Sequence, residues 1–147
     1  MKKTIFTLSL IMACILIFAN CKTKSAVAAN GIPYTIAEGY FVKNDAPTIP
    51  MGKIATQEEF YQFFGEAATM TSRPTQIDFQ RQFVIAVSQK PTDRSTTYSP
   101  VALTKTDGKL VFAYHVSQDK KQSYSIQPLL LIVVDKKYEA EVQCKQQ

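Results

Sequence analysis

The sequence predicts an α+β domain: one capped helix near its N-terminus, then an antiparallel sheet of about five or six strands, sandwich- or barrel-like. Three observations predict it. A single helix signature, Thr56-Gln57-Glu58-Glu59, precedes Phe60, Phe63 and Phe64. Two continuous apolar runs, Phe83 to Val87 and Leu129 to Val134, have strand length and imply burial on both faces. An Asp107-Gly108 pair separates two further apolar segments, which is a hairpin signal. The chain has 147 residues, 46% of them hydrophobic, which suits one domain with one buried core. With 5 Gly and 7 Pro it is neither collagen-like nor of low complexity.

Taken in order, Lys2 and Lys3 precede a mostly apolar run from Ile5 to Ala19. A short basic start and an apolar stretch too short to span a bilayer read as an export signal over residues 1–20. Residues 21–32 are small, polar and aperiodic, as expected of a flexible tether. The domain then occupies 33–147. Pro33 to Val42 reads as a strand interrupted near Gly39, and Asn44 to Pro47 as a turn. Thr56 and Glu59 form a capping box, and the helix they start stops at Gly65 or runs on towards Ala68.

From Phe83 the pattern is of strands. Pro91 to Thr97 is polar and rich in breakers, so it reads as a loop, with Tyr98 to Lys105 as a strand placed near an edge by Pro100. After the hairpin, Leu110, Phe112, Tyr114 and Val116 alternate with Val111, Ala113 and His115. Asp119 to Gln122 reads as a turn, Ser123 to Gln127 as a strand, and Asp135 to Lys137 as the last turn. In Tyr138 to Gln143, Tyr138, Ala140 and Val142 are expected to face in, with Glu139 and Glu141 facing out.

The net charge of +5 invites a nucleic-acid reading. Yet Lys2, Lys3, Lys22 and Lys24 lie in the leader and tether, leaving 13 basic against 12 acidic groups from residue 30 onward. No nucleic-acid partner is expected of a domain so nearly neutral. Of the three cysteines, Cys14 is in the leader and Cys21 follows it. Cys144 is left alone, so no internal disulfide can form in the domain.

Candidate chemistry is sparse. His115 is the sole histidine, and a lone histidine in an apolar strand is expected to be packed. No His/Cys cluster has metal-ligand spacing, so neither metal nor cofactor is expected. Nothing near Cys144 suggests an activated thiol, and neither a phosphate loop nor a nucleophile elbow is present. The candidate binding element is the loop Pro91, Thr92, Asp93, Arg94, Ser95, Thr96, Thr97 and Tyr98, which combines a rigid entry, hydroxyls, an arginine and an aromatic exit.

Two resemblances add to this reading. Phe18-Ala19-Asn20-Cys21 resembles the lipobox of bacterial lipoproteins, which implies lipidation of Cys21. The alternative is cleavage after Ala28, from the pattern Ala26-Val27-Ala28, giving a secreted periplasmic protein. Within the domain, four features stand in order: Glu59-Phe60 with Phe63-Phe64; Pro74-Thr75-Gln76-Ile77-Asp78-Phe79 before Phe83 to Val87; Pro91-Thr92 and Tyr98 with Asp107 to Leu110; and Gln127-Pro128 before Leu130 to Val134. This order resembles the PrcB-like family of envelope lipoproteins associated with a surface protease complex. Asp93 to Thr97 replace that family's glycine-containing turn.

The resemblances imply an envelope lipoprotein without enzymatic activity that binds a protein, as an accessory subunit or inhibitor of an envelope peptidase. It would be attached through Cys21 to the outer membrane. The periplasmic side is favoured because Lys22-Thr23-Lys24, not acidic residues, follow Cys21. The alternatives are a periplasmic enzyme or small-ligand carrier with its site near His115 and Tyr114, and a purely structural envelope component.

Overall fold

A computed structural model of the chain describes residues 31–147 and the short strand Ser25–Ala26; Cys21 and the leader lie outside the described residues. In chain order the elements are β1 (Ser25–Ala26), β2 (Tyr34–Ile36), β3 (Tyr40–Val42), β4 (Gly52–Ile54), α1 (Gln57–Phe63), β5 (Phe64–Glu66), β6 (Gln82–Ser88), β7 (Thr92–Thr106), β8 (Lys109–Ile126), β9 (Leu129–Asp135) and β10 (Val142–Gln146). The class is α+β. The strands divide among three sheets and none of these is closed: β1-β2-β9-β6-β4, β10-β8-β7 and β3-β5.

The two apolar runs form the middle of the molecule. β6 and β9 pair antiparallel, Phe83 opposite Val134 through Ser88 opposite Leu129. Strand alternation sends their side chains to two different cores. Phe83, Ile85, Val87, Leu130, Ile132 and Val134 meet Leu103, Leu110, Phe112 and Tyr114 from the β10-β8-β7 sheet. Val84, Ala86, Leu131 and Val133 meet Phe60, Phe63 and Phe64 from α1 and β5. Two-sided burial is what the absence of polar positions in these runs encodes.

The capping box forms with its return bond shifted to the residue before the cap. Thr56 accepts from the Glu59 amide at 3.2 Å, and the Glu59 carboxylate accepts from the Ala55 amide at 3.3 Å. The helix ends at Phe63, because Phe64 turns extended to pair with Val42 in β5–β3. The predicted break at Gly39 is also there, with φ +82°. The Asp107-Gly108 turn has positive φ at both residues, 50° and 78°, as a two-residue hairpin with right-handed strand twist requires.

Several expectations are corrected. Pro91 to Thr97 is no loop: β7 begins at Thr92. Asp119 to Gln122 is no turn but the interior of β8, which absorbs the separate strand expected at Ser123 to Gln127. The sheet is not wholly antiparallel, since β10 runs parallel to β8, Val142 opposite Leu110. β10 starts only at Val142, after a short 3-10 turn at Lys136–Tyr138. Its expected alternation holds nonetheless: Tyr138, Ala140, Val142 and Cys144 pack on the core, while Glu139 and Glu141 are exposed. β4 is an unanticipated strand. The tether expected over 21–32 is engaged at its end, where the Ile32 amide donates to the Leu103 carbonyl at 2.7 Å.

Candidate interaction surface

β6 and β9 run on into β7 and β8: after Ser88 opposite Leu129 comes Thr92 opposite Ile126. The ribbon then bends. From Thr92 to Arg94 its partner moves from Ile126 to Lys121, and from Arg94 to Thr96 it moves from Lys121 to Gln118. Extra residues on one strand curve it and raise its twist. Beyond the bend, the half from Tyr98 and Val116 to the Asp107-Gly108 tip lies back over the central sheet. The corner itself, residues 92–97 with 117–126, contributes no buried side chain. It is an arm standing off the core.

The arm splits the predicted binding residues. Arg94 and Thr97 are exposed, and Asp93 is half-buried, with Lys121 3.0 Å from its carboxylate. Thr92 and Thr96 serve the backbone: the Thr92 hydroxyl accepts from the Arg94 amide and the Thr96 hydroxyl donates to the Arg94 carbonyl, both at 3.1 Å. Such local bonds occupy an edge that another strand would otherwise pair with. Pro91 precedes the strand and is exposed. Tyr98 belongs elsewhere. It packs edge-on against Tyr114, centroids 5.8 Å apart, and burial pushes its phenol up to about 12. It is a wall of the core, not a free contact.

Sequence reasoning missed the opposite strand of the arm. Tyr124 is 57% and Ile126 42% exposed, so two large apolar side chains face solvent on the strand that also carries Lys120 and Lys121. The alternation in Ser123-Tyr124-Ser125-Ile126 was the available signal. It marked a strand, but not that its apolar side lacked a cover.

His115 and Tyr114 do not converge. Successive strand residues point to opposite faces: Tyr114 is buried, its hydroxyl 3.8 Å from Met51 Sδ. His115 is exposed rather than packed, with Nδ1 3.0 Å from the Gln147 carbonyl. Cys144 is half-buried over the core, and burial raises its thiol to about 11, which suppresses the thiolate a nucleophile needs. Among the described residues no group of three or more His, Cys, Asp and Glu is placed to hold a metal ion. No helix among them is long and apolar enough to cross a membrane.

Among the described residues, two cavities border the Gln76-Ile77 segment. The larger, about 560 Å³, is open and bordered by Asp78, Arg81 and Asp135. There the Arg81 guanidinium donates to Asp78 at 2.7 Å and holds its carboxyl below the usual range, helped by the Gln80 amide. The smaller, about 100 Å³, is walled by Tyr40, Phe60, Tyr61 and Phe79, with Gln57, Gln76 and Glu66 as its polar groups.

The Pro74 to Phe79 stretch that carries much of the PrcB-like resemblance is tied down. Thr75 exchanges backbone and hydroxyl bonds with Glu38, Tyr40 donates to the Thr75 carbonyl at 2.7 Å, and Phe79 packs on Phe60. No family model, curated protein or solved structure matches this chain.

Proposed function

We propose that this chain is a non-enzymatic lipoprotein of a bacterial envelope, anchored through Cys21, whose bent β7–β8 arm binds a protein partner. The leader and the lipobox-like Phe18 to Cys21 support the anchor. The PrcB-like resemblance supports an envelope peptidase or its complex as the partner, with the chain as accessory subunit or inhibitor. The observation that carries the binding reading is the arm: Tyr124 and Ile126 are exposed on a corner that also carries exposed Arg94, Lys120 and Lys121, on a scaffold whose central strands are fully packed. Aromatic and arginine side chains are among the residue types that dominate interface energetics. Taken with the core between them, the two larger sheets read as a sandwich that presents this arm.

The test is capture from native membranes with the full chain as bait. Arg94→Ala, Tyr124→Ser and Ile126→Ser combined should reduce recovery of a specific envelope protein more than about tenfold, while the circular dichroism spectrum stays that of the unaltered protein. Cys21→Ala should move the chain from the membrane to the soluble fraction. Equal recovery by bait and triple variant removes the arm from the reading. Recovery of no envelope protein above background removes the partner.

A further inference from the structure

We propose that the small cavity between β3, α1 and the Gln76–Phe79 segment is a binding site for a primary alkylammonium group, with Glu66 as its counter-charge and the rings of Tyr40, Phe60 and Tyr61 as its walls. The site is separate from the arm, so neither reading depends on the other.

Glu66 is the one charged residue among those lining the cavity. Lys43 comes close but spends its ammonium on the Tyr61 backbone carbonyl and does not line the space. An anion would meet a carboxylate there, and a cation meets its complement. The walls point the same way. Tyr40 and Tyr61 stand almost perpendicular to Phe60, at 89° and 84° with centroids 5.0 and 5.5 Å away. Phe60 is fully buried beneath them, so the half-buried rings of Tyr40 and Tyr61 are the ones with surface to offer, and aromatic faces attract cations.

Hydrogen-bond capacity narrows the ligand. An alkylammonium carries three N–H donors and accepts nothing. Tyr61 donates to Glu66 Oε1 at 2.6 Å, which leaves Glu66 Oε2 for a ligand. Gln76 donates through Nε2 to the Pro74 carbonyl at 3.4 Å, which leaves its Oε1 as an acceptor, and Gln57 supplies another amide oxygen. Acceptors on these three lining residues, of which Glu66 and Gln57 are solvent-exposed, equal the donors of an ammonium in number. Size narrows it further: about 100 Å³ admits the end of an amine and excludes a sugar or nucleobase.

The same headgroup exists on a free amine and on a lysine side chain of a polypeptide, and two probes separate them. Amide shifts of the full chain are followed by NMR during titration with n-butylammonium chloride and, separately, with Nα-acetyl-lysine N-methylamide. Saturable shifts at Tyr61, Gly65, Glu66 and Gln76 are expected with n-butylammonium, in the millimolar range natural to so small a ligand. Sodium chloride and the uncharged isostere n-butanol should not produce them. Glu66→Gln keeps the shape and the acceptor for Tyr61, and should weaken binding about tenfold. Tyr61→Leu should weaken it while leaving the carboxylate in place.

Binding of both probes assigns a lysine side chain as the ligand. Binding of n-butylammonium alone assigns a free amine. Shifts no larger than those of sodium chloride, equal shifts with n-butanol, or undiminished binding by Glu66→Gln each overturn the proposal. The butanol comparison uses the unaltered protein, so the outcome does not depend on how a variant folds.

Discussion

At the scale of single residues, backbone conformation and burial decide what each position tolerates. Gly39 has φ +82°, and a Cβ built there would lie 2.8 Å from the Pro74 Cα. Both the left-handed conformation and the backbone contact exclude a side chain, so Gly39→Ala should destabilise by about 2 kcal/mol or more. Gly108 has φ +78° with open space around it, and asparagine tolerates that conformation. Gly108→Asn should therefore cost less than about 1 kcal/mol. Urea denaturation of the two variants reads the contrast directly. Cys144 gives a pH prediction. Burial raises its thiol from 9.0 to about 11, so the folded state keeps its proton where the unfolded chain loses it. The stability this contributes is complete below pH 9 and is lost as pH rises towards 11. Thermal scans from pH 8 to 11 should show the decline, and it should begin later for Cys144→Ala. At pH 8 the folded thiol should alkylate about a hundredfold more slowly than the unfolded chain, from thiolate fraction alone.

At the scale of elements, local devices matter where the element is short. α1 has only 7 residues, well below the length at which an isolated helix is stable in water, so its caps and its packing hold it. Thr56→Ala removes the acceptor for the Glu59 amide and should cost about 1 kcal/mol. In a domain of this size that is a fall of roughly 4 °C in Tm, with Thr56→Ser close to neutral as the control. Such devices were legible in the sequence because they are local: the capping box, the Gly39 break, the Asp107-Gly108 turn and the two apolar runs each announce themselves within a few residues. The arm did not. Asp119 to Gln122 and Thr92 to Thr97 are strand residues with no buried face, and without one the period-two pattern that marks a strand has nothing to impose it. Polar residues there look like turns. The parallel pairing of β10 was hidden for another reason: its alternation says which side chains face in, but not the direction of the neighbour. The candidate binding residues divide along the same line: Arg94 lies on the uncovered corner, while Tyr98 is past the bend and packs on the core against Tyr114.

At the scale of the whole molecule, charge and packing follow different plans. Most of the excess positive charge sits in the first 24 residues, ahead of a domain with 13 basic and 12 acidic groups, so the nominal pI of about 9.1 reflects those first residues rather than the domain. Packing has its own centre. The core between the two larger sheets and the core under α1 share no residue, yet both draw on β6 and β9, whose alternate side chains serve one and then the other. Losing either strand would open both cores together, so the domain should unfold as one cooperative unit. The arm stands apart from this, since residues 92–97 and 117–126 hold each other by cross-strand bonds interrupted by register shifts and bury no side chain completely. Local opening there breaks no core contact of a fully buried side chain. Native-state hydrogen exchange should therefore rank the amides sharply: Phe83 to Val87 and Leu130 to Val134 exchange only through global unfolding, and the arm exchanges at least about a thousandfold faster. Global-level protection in the arm would mean that a partner or a second copy already covers it. Early exchange in β6 while β9 stays protected would break the coupling of the two cores.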